Sequence, residues 1–272
     1  MIRKLLHKPQ AIIGILMMIC IFIAMIFAPQ LAPNDPSKLD PAHALVSASE
    51  QYPLGTDHLG RCLLSQLIYG ARISMSIALP TTIILAIVST VVAAVCAFIG
   101  GKVDKVFDII SNIFMAFPPF LVAITLVGLF ESKAFSIILS IVLAMWVWNA
   151  RVVRTYVLRE KNKPYVTTCR MSGCSEARII FRHILPNVIP HLLVLFSTGL
   201  SGVIIMISSY AFLGLGLETG TPEWGLMLVI ANKLIMSHPM LLVYPGLCIL
   251  FAAAGFNLFG EALRDLLDPK EG

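Results

Sequence analysis

The sequence predicts an all-α, polytopic membrane protein with six transmembrane helices. An apolar composition, six long apolar runs and a one-sided distribution of basic residues carry that prediction. Hydrophobic residues make up 58% of the chain and charged ones only 13%, far from the balance of a soluble domain. The runs at about 11–28, 73–98, 107–129, 134–153, 188–217 and 240–259 are each long enough to cross, or nearly cross, a hydrocarbon core of about 30 Å. No water satisfies backbone groups there, so each run must be a helix. With the N-terminus inside, Arg3, Lys4, Lys8, Lys102, Lys105, Arg264, Lys270 and the basic residues from Arg151 to Arg182 all fall on the inner side. Only Lys38, Arg61, Arg72, Lys133 and Lys233 remain outside. That bias predicts cytoplasmic N- and C-termini. The net charge of +5 therefore reports topology, and no nucleic-acid partner is expected.

The first run follows a basic start and could be mistaken for a signal peptide. Pro29 and Pro33 directly follow Ala28 and Ala32, which disfavours cleavage there, so an uncleaved span in contact with lipid is expected. A Pro/Asp/Ser/Ala-rich outer segment comes next. Its end carries an apolar stripe, Leu59, Leu63, Leu64, Leu67, Ile68 and Ala71, at helical spacing, expected as an interfacial helix before the second span. Two units are expected: residues 1–72, holding the first span, the outer segment and the interfacial helix, and residues 73–272, a five-helix core. Gly100-Gly101-Lys102 turns the chain inside, between the second and third spans. Near the other face, 218–239 places Trp224, Met227, Leu228, Ala231, Leu234 and Ile235 on one helical side. That pattern fits either a partly re-entrant helix or an interfacial anchor with Trp224 in the aromatic belt.

The most informative stretch is polar and basic, residues 159–186. It reads as two short helices meeting at a glycine. Pro164 suits a first helical turn, and Gly173 can take the left-handed conformation that ends the helix. Ser175 then caps a second helix with Glu176 at its positive end, and Pro186 closes it. A helix of about nine residues is marginal alone in water, so 164–172 calls for a surface to dock on.

Several chemistries are excluded. Gly100-Gly101-Lys102-Val103 lacks the Ser/Thr of a P-loop, and HExxH is absent. The six cysteines form no CxxC and no metal-ligand spacing, so no metal site is expected. Cys20, Cys96 and Cys248 read as small packers, and Cys169 and Cys174 face the reducing cytoplasm. Gly199-Leu200-Ser201-Gly202 is a GxSG string of the intramembrane serine protease kind, with His183 and Asn187 upstream. Ser201 lies about 20 Å along the span from Asn187, whereas a base must come within roughly 3 Å. Close helix packing accounts better for Ser197, Gly199, Ser201 and Gly202. Glu261, Arg151, Arg154 and His191 sit near span ends and leave the apolar centres uncharged, unlike an ion-coupled carrier. Arg151 and Arg154 suit the negative end of the fourth helix. Met115, Met145, Met206 and Met227 could offer soft contacts to a cargo metal, against a reading as apolar filler.

Residues 165–173 (YVTTCRMSG), followed after nine residues by His183-Ile184-Leu185-Pro186, resemble the E-A-A coupling loop of binding-protein-dependent ABC importer permeases. The glycine and the Leu-Pro match in register. Thr167, Thr168 and Cys169 replace E-A-A, and His183 replaces an isoleucine. The strings at 54–61 (LGTDHLGR), 69–72 (YGAR), 209–216 (SYAFLGLG), 222–225 (PEWG), 263–265 (LRD) and 267–269 (LDP) look like the second, C-type permease of dipeptide, oligopeptide and nickel importers. Cys62 stands where that family usually has Asp.

This resemblance covers almost the whole chain and implies a type I importer (MetI-like) fold in a bacterial cytoplasmic membrane. It implies a heterodimer with a sister permease, two ATP-binding subunits and an extracytoplasmic solute-binding protein. ATP and Mg would be bound by those ATPase partners; no cofactor and no catalysis are expected in this chain. ATPase coupling would fall to Tyr165, Val166, Thr167, Thr168, Cys169, Gly173, Leu185 and Pro186. The short chain, the 163–165 string, and 222–227 followed by 237–239 look most like the nickel branch, with peptides the alternative cargo.

Overall fold

The structure, a computed structural model, describes residues 8–267. The expected inner charges Arg3, Lys4 and Lys270, and Asp268-Pro269 of the C-terminal string, lie outside those residues. The fold is helical, as expected. Five helices are long and apolar enough to cross a membrane, or six if one bent pair counts as a single span.

Helix α1 (Pro9–Ile26) starts on a proline, whose missing N–H would have no intrahelical partner anyway. Helix α2 (Leu63–Ile99) runs 37 residues without a break, so the expected interfacial helix and second span are one element, and position 72 falls inside it. The stripe explains why. Leu63, Leu67 and Ala71 are buried in the protein's own core, so that face is satisfied by protein rather than by a lipid surface. Pro80 inside α2 is tolerated beside Thr81 and Thr82, whose hydroxyls donate to the Ile77 and Ala78 carbonyls at 2.6 and 2.9 Å.

The third span departs most from expectation. Helices α3 (Gly101–Met115) and α4 (Pro119–Leu129) meet at a bend of 81°. Pro118 precedes another proline and is extended (φ −60°, ψ 132°), as that neighbour requires, and Pro119 restarts the helix. Helix α5 (Lys133–Lys161) begins at the N-cap Ser132, whose side chain accepts from Phe135 N at 3.4 Å. Arg154 of α5 forms a two-point ion pair with Asp104 of α3, Nε to Oδ1 being 2.6 Å, and Arg151 donates to Asn112 Oδ1 at 2.5 Å. These arginines clamp α3 to α5 as well as lying near the end of the latter.

After the short helix α6 (Pro164–Met171), the chain enters α7 (Glu176–Leu215). Pro186 was expected to end a separate helix; α7 instead passes through it. A π-helical turn at Ile180–Ile184 directly precedes Leu185-Pro186, and such a turn loosens the i→i−4 ladder just where proline cannot contribute to it. Helix α8 (Trp224–Asn232) is capped by Glu223, and helix α9 (Met240–Leu267) closes the described chain. Phe22 of α1 meets Phe256 of α9 edge-to-face at 6.1 Å.

Trp224 is no interfacial anchor. It is buried, and its indole N–H donates to the Leu67 carbonyl at 3.0 Å. Glu223 accepts from Gly225 N and Leu226 N at 2.9 Å and from the Ser74 hydroxyl at 3.0 Å. Asp57 and Arg61 form a buried pair, Nε to Oδ2 2.7 Å, and Arg61 also donates to the Gly220 carbonyl at 3.0 Å. Arg61 of the 54–61 string thus ties its loop to the one at Gly220, while Glu223 and Trp224 of the 222–225 string are held on α2.

The Ser201 hydroxyl donates to the Ala253 carbonyl of α9 at 2.7 Å, a packing role. Gly199 and Gly202 have open space where a Cβ would sit, so close approach does not explain them. The buried residues form two cores. The larger centres on Met75, Ile137, Ile141 and Ile204; a smaller one gathers Val153, Val157, Val166, Ile179, Ile184 and Val188.

Candidate functional site

The 159–186 stretch folds as a compact knuckle standing on that smaller core. Helix α6 ends as its sequence dictates. Gly173 has φ +77°, Gly173 N donates to Arg170 O, and Cys174 N donates to Cys169 O, both at 3.0 Å. This pair of bonds is the Schellman arrangement, which satisfies two carbonyls the helix would otherwise leave open. Ser175 then caps α7 by accepting from Arg178 N at 3.4 Å. Arg170 and Glu176 pair across the glycine at 3.0 and 3.2 Å. That exposed pair stabilises the turn by about 0–1 kcal/mol.

One side of α6 is joined to the long helices. Val166 is fully buried among Val157, Ile179 and Ile184. The Tyr165 hydroxyl donates to Glu160 Oε1 of α5 at 3.0 Å, Asn187 of α7 donates to the same oxygen at 3.1 Å, and Lys163 Nζ sits 2.7 Å from Oε2. Burial raises the Tyr165 phenol above its ordinary range, Asn187 opposes that rise and the Glu160 carboxylate adds to it; the phenol stays a donor at neutral pH. Lys161 donates to the last carbonyls of α2, Ala97 at 2.9 Å and Phe98 at 2.7 Å, favourable at the negative end of a helix. Three long helices therefore converge on this knuckle.

Its other side is exposed among the described residues. Thr167 and Thr168 are exposed. Met171 and Phe181 are 85% and 72% exposed, large apolar side chains on an otherwise polar surface. Of the remaining sequence-predicted positions, Leu185 is half-buried and Pro186 exposed at the start of the apolar part of α7. Of the methionines, Met227 belongs to the larger core, Met145 and Met206 pack on it, and Met115 is half exposed.

Sequence reasoning passed over Glu160, Met171 and Phe181, and weighed Asn187 only beside the Ser201 string. Glu160 had a signal, since it is the only acid between Arg151 and Arg170. It also passed over a cluster that spacing does not reveal: the ligand atoms of Cys169, Cys174 and His183 all lie within 4.8 Å of one another.

Residues 86–271 match the family described as the binding-protein-dependent transport system inner membrane component, and residues 1–51 match the N-terminal TM domain of oligopeptide transport permease C. The chain belongs to the permeases of binding-protein-dependent ABC importers. It is 34% identical to the nickel transport system permease protein NikC of Escherichia coli K12, over 87% of this chain and 86% of that one. It is also 34% identical to the di/tripeptide transport system permease protein DppC of Pseudomonas aeruginosa, over 97% and 89%. Identity to the metal-staphylopine import system permease protein CntC of Staphylococcus aureus is 30%, over 99% and 93%. The permease is thus a multi-pass inner-membrane protein of the C type, in the nickel and dipeptide group, and its role is transport. Its family works with ATPase and binding-protein partners.

Proposed function

We propose that this permease forms one half of a pathway that carries nickel, free or chelated, inward by alternating access. A sister permease supplies the other half, two ATP-binding subunits hold ATP and Mg, and an extracytoplasmic solute-binding protein delivers the cargo. The termini and the knuckle face the cytoplasm, on the positive-inside argument. A single observation carries the coupling role: α6 has one side fused to the long helices through Val166 and Tyr165, while Met171 and Phe181 stand outward. Exposed apolar side chains within a polar surface are what a protein partner would cover. Closure of the ATPases would move α6 as a docked body, and the Glu160 junction would pass that motion to α5 and α7 as rigid elements.

Nickel is favoured by the likeness to the nickel permease and by the strings at 163–165, 222–227 and 237–239. Peptide cargo is the second reading, favoured by the equal identity to the di/tripeptide permease over more of this chain. Uptake of radioactive nickel, with and without added chelators, and of a labelled dipeptide decides between them in cells carrying the whole importer with this chain present or deleted. Nickel uptake should vanish on deletion and dipeptide uptake persist; the reverse outcome assigns peptides.

A further inference from the structure

We propose that Cys169, Cys174 and His183 bind a borderline-soft divalent transition-metal ion, of the zinc and nickel class, across the Gly173 turn. The three residues come from three local structures. Cys169 lies in the last turn of α6, and Cys174 follows the left-handed glycine with its N–H held on the Cys169 carbonyl at 3.0 Å. His183 sits in the π-helical turn of α7, a feature that often marks functional positions in helices. Their ligand atoms already lie within 4.8 Å of one another. In a tetrahedral site with metal–sulfur bonds near 2.3 Å and metal–nitrogen bonds near 2.0 Å, neighbouring ligand atoms are about 3.5–3.8 Å apart. A contraction of about 1 Å closes the site, within reach of side-chain rotation. All three residues are half-buried, so an ion can enter.

The donor set chooses the ion. Two sulfurs and an imidazole disfavour magnesium and calcium and suit zinc, nickel and their neighbours. Binding displaces the protons of both thiols to solvent, since the thiolate is the ligand. Three protein ligands leave a fourth position for water or a partner's side chain. Cys169 and His183 are also two of the positions where this chain departs from the E-A-A loop pattern, and both departures supply metal ligands.

The site stands independently of the cargo. Its consequence rests on the coupling role proposed above: a bound ion would join α6 to α7 on both sides of Gly173, stiffening the turn and slowing uptake as metal accumulates on the knuckle's side.

The test titrates the purified, reduced full-length chain with Co(II) and reads the thiolate-to-cobalt charge-transfer band. One equivalent should bind and be displaced by Zn(II). Cys174→Ser and His183→Gln should each weaken binding about tenfold or more, while Cys20→Ser and Cys248→Ser leave it unchanged; unaltered elution on size exclusion shows that the variants fold. No band in the wild type, a band that survives in Cys169→Ser/Cys174→Ser, or a Cys169–Cys174 disulfide in freshly isolated membranes would each overturn the site. In proteoliposomes of the whole importer, Zn(II) on the knuckle's side should slow wild-type uptake and spare Cys174→Ser. A normal cobalt band with unslowed uptake would leave the site standing and count against α6 as the coupling element.

Discussion

The Tyr165 hydroxyl meets the Glu160 carboxylate at 3.0 Å, on an oxygen that Asn187 also reaches at 3.1 Å. One atom therefore ties α6 to the end of α5 and to α7 just past its π-helical turn. Tyr165→Phe keeps the ring and deletes only the donor, a bond to a charged acceptor contributing about 1.5–3 kcal/mol. Glu160 keeps Lys163 and Asn187, so the protein should fold. Uptake per ATP hydrolysed should fall several-fold in proteoliposomes of the whole importer. A ratio equal to the wild type would remove this contact from the coupling path.

Gly173 has φ +77°, and a Cβ placed there would meet nothing within 4 Å. Any cost of substitution is therefore backbone strain, about 1–2 kcal/mol for an ordinary L-residue and less for Asn. Gly173→Val should reach the membrane at normal levels yet uncouple ATP hydrolysis from uptake, whereas Gly173→Asn should retain most transport. Full uptake by the Val variant at normal expression refutes the role given to this turn.

Gly70 on α2 faces Trp224, and a Cβ at Gly70 would come within 2.4 Å of the indole Cδ1. Gly70→Ala should overpack this contact and lower Tm by roughly 2–10 °C in detergent. Trp224→Ala removes the clashing ring atoms, so the double variant should lose less than the two single losses combined. Strict additivity in a thermal scan would show that the two side chains do not press on each other.

The Ser201 hydroxyl bonds the Ala253 carbonyl at 2.7 Å, and such interhelical bonds in membranes average about 0.6 kcal/mol. Ser201→Ala should leave transport intact and stability nearly so, and no protein co-expressed with the importer should escape cleavage as a result. A transport defect as deep as that of Gly173→Val would mean this serine does more than pack.

The helical class, the spans and the end of α6 at Gly173 were legible because each follows from local physics: apolar length, charge asymmetry and a glycine followed by a capping serine. What hydropathy cannot encode is direction. Pro118-Pro119 sits in an apolar run whose composition never changes, so the bend between α3 and α4 left no trace in it. The stripe from Leu59 to Ala71 tells that one face is buried, but not whether lipid or Trp224 buries it. Pro186 was over-read, because a lone proline ends a helix only where the preceding turn holds the α ladder, and the π turn relaxes it. Cys169, Cys174 and His183 meet only once the Schellman turn folds the chain back, which no spacing rule anticipates.

Helix α2 touches Trp224 near Gly70 and receives Lys161 at Ala97. Those points are about 40 Å apart at 1.5 Å per residue, along one unbroken helix. Each degree by which this beam rocks about one support sweeps the opposite end through about 0.7 Å. A few degrees of rocking is then comparable with the width of a water molecule, enough to seal or breach an opening without unwinding any turn.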